Sequence, residues 1–220
     1  MSPATPNLIR YDGPESSPYQ LLLAHGAGAG MDHEFMQHFA SCLANQGIRV
    51  IRFEFPYMQK RRLDGGKRPP DRMPKLIQAF ADQLQQQAAE LSPSSQLFIG
   101  GKSMGGRVAS LLAAESEESL PVAGIVCLGF PFHPTGKPER FRGDHLAELK
   151  QPLLILQGER DNMGNSEEIK HYPLGNSTCC HILGDGDHSF KPRIASGLTL
   201  QQNLDEAIEQ VVNFMKKNLT

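Results

Sequence analysis

The residues best suited to chemistry lie around Ser103, in the run Gly100-Gly101-Lys102-Ser103-Met104-Gly105-Gly106. A short apolar run, Leu97-Phe98-Ile99, precedes it, and a helical pattern, Val108-Ala109-Ser110-Leu111-Leu112-Ala113-Ala114, follows. An extended segment therefore feeds a sharp turn with Ser103 at its tip. Gly101-x-Ser103-x-Gly105 has the form of a nucleophile elbow. Such a turn strains the serine backbone, and side chains two residues to either side would strike the neighbouring strand and helix. The helix that opens there offers free N–H groups and a positive end where an oxyanion would form. Two other readings fit the same letters. One is a glycine-rich turn whose serine merely caps a helix. The other is a phosphate-binding loop, because Gly101-Lys102-Ser103 spells the end of such a motif; that motif, however, needs a glycine where Gln96 stands.

A serine becomes a useful nucleophile beside a base, and the base needs an acid to orient it and stabilise its charged form. Asp161 and His188 each follow an apolar, strand-like run, and both come after Ser103 in the order Ser, Asp, His. Glu159 and Asp185 compete with Asp161 for the role of acid. Among the eight histidines, His188 stands out because it follows the last strand-like run, behind the turn formers Asp185-Gly186-Asp187. His25, in His25-Gly26-Ala27-Gly28, reads as a loop-holding residue, and His133 as a surface residue. No two metal-ligand residues share a zinc spacing, so neither a metal nor an organic cofactor is expected.

The elements that must position these groups alternate along the chain. Apolar runs at Gln20–Ala24, Ile48–Phe55, Leu97–Ile99, Val122–Leu128, Pro152–Gln157 and Thr178–Leu183 predict strands, with an edge strand near Leu8–Tyr11. Helical periodicity predicts a helix capped by Asp32 and closing at Gly47, with Phe35, Met36, Phe39, Ala40 and Leu43 on its apolar face. A second carries Leu76, Ile77, Phe80, Leu84 and Ala88, and a last spans about Leu200 to Lys217. The fold class that follows is α/β: one mostly parallel sheet with helices on both faces, as a single domain over residues 1–220. Ligands of such sheets bind beyond the carboxyl ends of the strands, where Ser103, Asp161 and His188 all fall.

Net charge is −2 and 21% of residues are charged, so no global bias points to nucleic acid or membrane as a partner. The stretch Lys60 to Arg72 reverses the sign locally, with six basic residues against two acidic ones, a net of +4 in what reads as a Gly/Pro-rich loop. No signal peptide is read at Met1–Asn7, and the four cysteines, Cys42, Cys127, Cys179 and Cys180, read as buried free thiols of a cytoplasmic protein.

Together the Gly101-x-Ser103-x-Gly105 turn, the Ser–Asp–His order and the strand alternation resemble the α/β-hydrolase superfamily, in particular small cap-less members similar to dienelactone hydrolase. The phrases Phe55-Pro56-Tyr57, Arg68-Pro69-Pro70-Asp71 and Phe130-Pro131-Phe132-His133 are similar to a narrower group of predicted hydrolases, related to testis-expressed and histone-acetyltransferase-complex proteins. The resemblance implies Ser103 as nucleophile, Asp161 as acid and His188 as base, with the amide of Met104 and that of Ala27 or Gly28 as oxyanion donors. It implies a minimal fold without a large cap and with a shortened N-terminal sheet edge. The function so implied is acyl transfer to water from a small ester or thioester. Separately, the basic stretch Lys60 to Arg72 reads either as a solvated surface loop or as a bias of the entrance toward an anionic acyl substrate. A silent scaffold of the same fold and a nucleotide-binding loop are the rival readings.

Overall fold

Successive residues of a strand point to opposite faces, so a sheet buried on both sides needs strands that are apolar throughout. The computed structural model, which describes residues 8–116 and 120–218, has seven strands. They are β1 (Ile9–Asp12), β2 (Tyr19–Ala24), β3 (Arg49–Phe53), β4 (Gln96–Lys102), β5 (Gly124–Leu128), β6 (Leu153–Gly158) and β7 (Thr178–Leu183). Of these, β2 to β6 are the interior ones, mostly apolar and buried almost throughout. In space they run β1-β3-β2-β4-β5-β6-β7, parallel except for the antiparallel edge strand β1. The predicted fold class is therefore the one observed.

Leu21 and Leu23 face one layer while Leu22 and Ala24 face the other, and Val126 and Leu128 alternate with Ile125 and Cys127 in the same way. One layer is covered by α1 (Glu34–Asn45) and the closing helix, α6 (Leu200–Lys217), which has the predicted bounds. The opposite layer is covered by α3 (Met73–Ala89) and α4 (Met104–Glu115), through Phe80, Leu84, Val108 and Ala109. Between β5 and β6 there is only loop and a short 3-10 turn at Asp144–Glu148, so no cap stands over the sheet. Among the described residues no helix is long and apolar enough to cross a membrane.

Two expectations need correction. The cap of α1 is His33, whose ring accepts from the Phe35 amide, while Asp32 is drawn into an ion pair with Arg62 at 2.8 Å. The basic stretch predicted as loop from Lys60 begins inside a helix, α2 (Pro56–Asp64), which Pro56 opens and a left-handed Gly65 closes. Met1–Asn7 lie outside the described residues.

The strand order carries the site. From β2 the chain moves outward to β3, then returns past β2 to β4 and proceeds the other way, so the direction of winding reverses between β2 and β4. The loops leaving those two strands diverge and open a crevice at their carboxyl ends. They begin at His25 and Ser103.

Candidate active site

Ser103 sits between the end of β4 and the start of α4 with φ 52 and ψ −115, in the positive-φ region that a side chain adopts only under constraint. The constraint is close packing. A Cβ on Gly101 would come within 2.6 Å of the Ala24 carbonyl oxygen, and one on Gly105 within 2.6 Å of that same atom. Glycine at both positions lets β4 and α4 close on β2 and push the Ser103 side chain out at the tip. The Ser103 amide donates to the Leu128 carbonyl, which ties the turn to β5.

Ser103 Oγ lies 2.8 Å from His188 Nε2. On the other side of the ring, Nδ1 lies 2.7 Å from Oδ2 of Asp161. Asp161 is fully buried, and its carboxylate also accepts from Gln157 Nε2 at 2.8 Å and the Met163 amide at 2.8 Å. With those donors filling the carboxylate, the ring contributes an Nδ1–H donor and keeps Nε2 free to accept the serine proton. Neither rival acid reaches the ring. Glu159 accepts from the Asp185 amide, and Asp185 is bound by Arg193 and Arg160; the Arg193 hydrogen bonds, against some desolvation, hold its carboxyl near a pKa of about 2.

The loop after β2 forms the facing wall. His25 is fully buried; its Nδ1 donates to the Gly26 carbonyl at 2.7 Å and its Nε2 accepts from the Phe55 amide at 3.1 Å. Burial lowers its pKa and keeps the ring neutral, which suits one donor and one acceptor. Tyr57 supports the same loop from below, its hydroxyl donating to the carbonyls of Gly26 and Ala27 at 3.2 and 2.9 Å. Met104 is the first residue of α4, so its amide has no partner within the helix and faces the same turn. A pocket of about 370 Å³ opens over Ser103 between Ala27, Gly28, Phe35, Met36, Met163 and His188, and its lining is mainly apolar.

The structure thus brings Ser103, His188 and Asp161 into one line and sets the Ala27–Gly28 loop beside them. His133 is a correction: it is buried, not at the surface, with Nε2 3.3 Å from Glu168 and Nδ1 2.9 Å from the Pro134 carbonyl. Of the cysteines expected to be buried, Cys179 is exposed; all four are free. The phosphate-loop reading fails on the backbone, because β4 continues through Lys102 and leaves no loop to wrap a phosphate. Three contributors escaped sequence reasoning: Tyr57, Gln157 and Lys102. Gln157 left one signal, an amide at the end of an otherwise apolar strand, four residues before Asp161.

A doubly covered, mostly parallel sheet with a half-buried serine at a strained strand-to-helix turn, paired with a histidine, defines a hydrolase of the α/β class. Residues 17–216 match the model of the alpha/beta hydrolase domain family, and the chain belongs to that family. Solved structures share the fold at low identity. Est1E from Butyrivibrio proteoclasticus, with ferulic acid bound, matches with a TM-score of 0.68 at 13% identity over 96% of both chains. An α/β serine hydrolase without a lid from Xanthomonas campestris matches with a TM-score of 0.68 at 19% identity, over 94% of this chain and 88% of that one. Dienelactone hydrolase from Anabaena variabilis gives a TM-score of 0.66 at 20% identity, over 94% and 91%.

Proposed function

We propose that the protein is a serine hydrolase that cleaves small esters or thioesters through Ser103, His188 and Asp161. The observation that carries this reading is the unbroken line of short contacts, 2.8 Å from Ser103 Oγ to His188 and 2.7 Å from His188 to Asp161, at the mouth of an apolar pocket. Ser103 Oγ attacks the acyl carbon while His188 Nε2 takes its proton. The carbonyl electrons move to an oxyanion that faces the amide of Met104 and that of Ala27 or Gly28. His188 then returns the proton to the leaving alkoxide or thiolate. Water, deprotonated by the same nitrogen, attacks the acyl-serine; as the bond to Ser103 Oγ breaks, His188 returns that proton to Oγ and the acid leaves. Asp161, fixed by Gln157, orients the ring and offsets its positive charge during both transfers.

Phe35, Met36 and Met163 suit an apolar acyl group of modest size, since a pocket of about 370 Å³ admits a short chain or one aromatic ring. Arg61 lies outside that pocket, in the adjoining groove, with its guanidinium 3.5 Å from the carbonyl of Gly28, a loop residue that lines the pocket, and favours an acid group at the outer end of the substrate. Among the described residues it has no carboxylate within ion-pair distance, whereas Arg62 is held by Glu54 and Asp32.

The deciding experiment combines fluorophosphonate labelling with a panel of acyl esters and thioesters of graded chain length. An aryl-acyl ester belongs in the panel because a structural neighbour holds ferulic acid. Wild type should label and turn over the shorter members, and Ser103→Ala should do neither. Undiminished turnover in Ser103→Ala would move the chemistry elsewhere, and an unlabelled wild type would favour a silent scaffold.

A further inference from the structure

Lys102 is the last residue of β4 and the neighbour of Ser103, yet its side chain is 9% exposed and its ammonium has turned inward beneath the site. Its Nζ donates to the backbone carbonyl of His188 at 2.5 Å. Two aromatic faces enclose the rest of the charge, Phe35 of α1 at 5.5 Å and Phe190 at 5.8 Å from the ring centroids. Gly129 leaves the space it occupies, since a Cβ there would come within 2.8 Å of Nζ. A buried cation with no carboxylate in ion-pair contact among the described residues is costly, and a methionine, one heavy atom shorter, would fill most of the volume without that cost. What the ammonium does in return is join two distant parts of the chain. β4 supplies the nucleophile, and the loop after β7 supplies the histidine, three strand positions away in the sheet.

We propose that Lys102 is a positioning residue, which holds the His188 backbone to the nucleophile strand and so sets the imidazole against Ser103. The rest of the histidine loop is anchored elsewhere. Asn203 of α6 binds the carbonyls of Gly184 and Phe190, on either side of it, and Asp187 binds the amides of Ser189 and Lys191. Lys102 is the tie that runs from the nucleophile's own strand. A charged donor makes a stronger hydrogen bond to a carbonyl than a neutral one, so the tie depends on protonation. Burial pulls the Lys102 pKa down to about 8, against support from Asp161 after β6 and Asp187 after β7; α1 turns Phe35 toward it, not a charge. The tie therefore weakens as pH rises through about 8.

The test compares wild type with Lys102→Met, which keeps an unbranched side chain out to the position of Cε without the ammonium, and Lys102→Arg, which keeps a charge at every accessible pH. The kinetic arm rests on the hydrolase reading and uses a p-nitrophenyl ester and the rate of fluorophosphonate labelling. Lys102→Met should keep its melting temperature within a few degrees and KM within about twofold, while kcat and the labelling rate fall about 10- to 100-fold, as expected of slight misplacement. The gap to wild type should narrow as pH rises from 7 to 9.5, and Lys102→Arg should recover part of the rate and lose the narrowing. The spectroscopic arm needs no turnover: the low-field proton resonance of His188 Nδ1–H, identified by its loss in Asp161→Asn, should broaden or shift in Lys102→Met. An unchanged resonance in a folded Lys102→Met overturns the proposal whether or not the protein is a hydrolase. Equal labelling of a reactive wild type and Lys102→Met overturns it while leaving the hydrolase reading intact.

Discussion

At the scale of single residues, the site is a set of donors and acceptors in which each member depends on the next. Ser103 and His188 share one hydrogen bond, so removing either disables the same step. Ser103→Ala should lower kcat about 1,000-fold or more, and Ser103→Ala/His188→Ala should cost little beyond that, by steady-state kinetics with each variant's fold checked by circular dichroism. Tyr57 contributes differently, because its hydroxyl binds the carbonyls of the loop rather than any reacting atom. Tyr57→Phe keeps the buried ring and removes only that tether. We expect kcat to fall about tenfold with KM nearly unchanged, the size of one hydrogen bond lost in the transition state. A raised KM with normal kcat would instead tie Tyr57 to substrate binding.

At the scale of elements, the elbow is a packing problem before it is a catalytic one. Gly105→Ala would drive a methyl group to 2.6 Å from the Ala24 carbonyl and 2.7 Å from that of His25, both backbone atoms that cannot step aside. The cost should be about 1–3 kcal/mol or more, seen as a lower urea midpoint together with lost fluorophosphonate labelling. A second element depends on pH. His145, in the 3-10 turn at Asp144–Glu148, lies 2.8 Å from Ser110 of α4, and burial, reinforced by Arg107 and opposed by Asp144, pulls its pKa down to about 4. A folded pKa below the unfolded value of about 6.5 gives stability that is full above pH 6.5 and is lost as pH falls toward 4. His145→Gln should flatten that part of a urea-midpoint curve, leaving the slope due to His25, whose pKa burial also lowers. Elements like these differ in how far the chain announces them. The strands and α6 were legible because an apolar run or stripe reports burial locally. The placement of Ser103, Asp161, His188 and His25 after strands was legible too, and their hydrogen bonds to one another and to the loop follow from it. α2 was not, because only Tyr57 and Met58 of its nine residues are buried, and the others, Lys60, Arg61 and Arg62 among them, leave no apolar stripe. The roles of Lys102, Gln157 and His133 were hidden for another reason: each has a partner 27 to 86 residues away, His188 for Lys102, Phe130 for Gln157 and Glu168 for His133. The narrower likeness to testis-expressed proteins rests on sequence phrases alone.

At the scale of the whole molecule, a chain of net charge −2 carries a stretch of +4, residues 60–72, running from α2 toward α3 near the pocket rim. Arg62 and Arg68 are paired with acids, whereas Lys60, Arg61, Lys67 and Arg72 have no carboxylate within ion-pair distance among the described residues. If these charges draw in an acidic acyl ester, its kcat/KM should fall as salt rises past roughly 0.1 M, where charges more than about 10 Å apart are screened. A matched neutral ester should respond little, and Arg61→Ala should remove most of the difference. Equal salt responses would leave the stretch as surface. The order of assembly matters as well. Ser103 is shaped by β2, β4, β5 and α4, all encoded before residue 129, whereas His188 arrives behind β7 and is braced by Asn203 of α6. A chain made from its N-terminus thus carries its serine long before the base that would activate it. On the hydrolase reading proposed above, that serine stays chemically dormant during synthesis, and docking of the segment from β7 to Asn203 is the arming step.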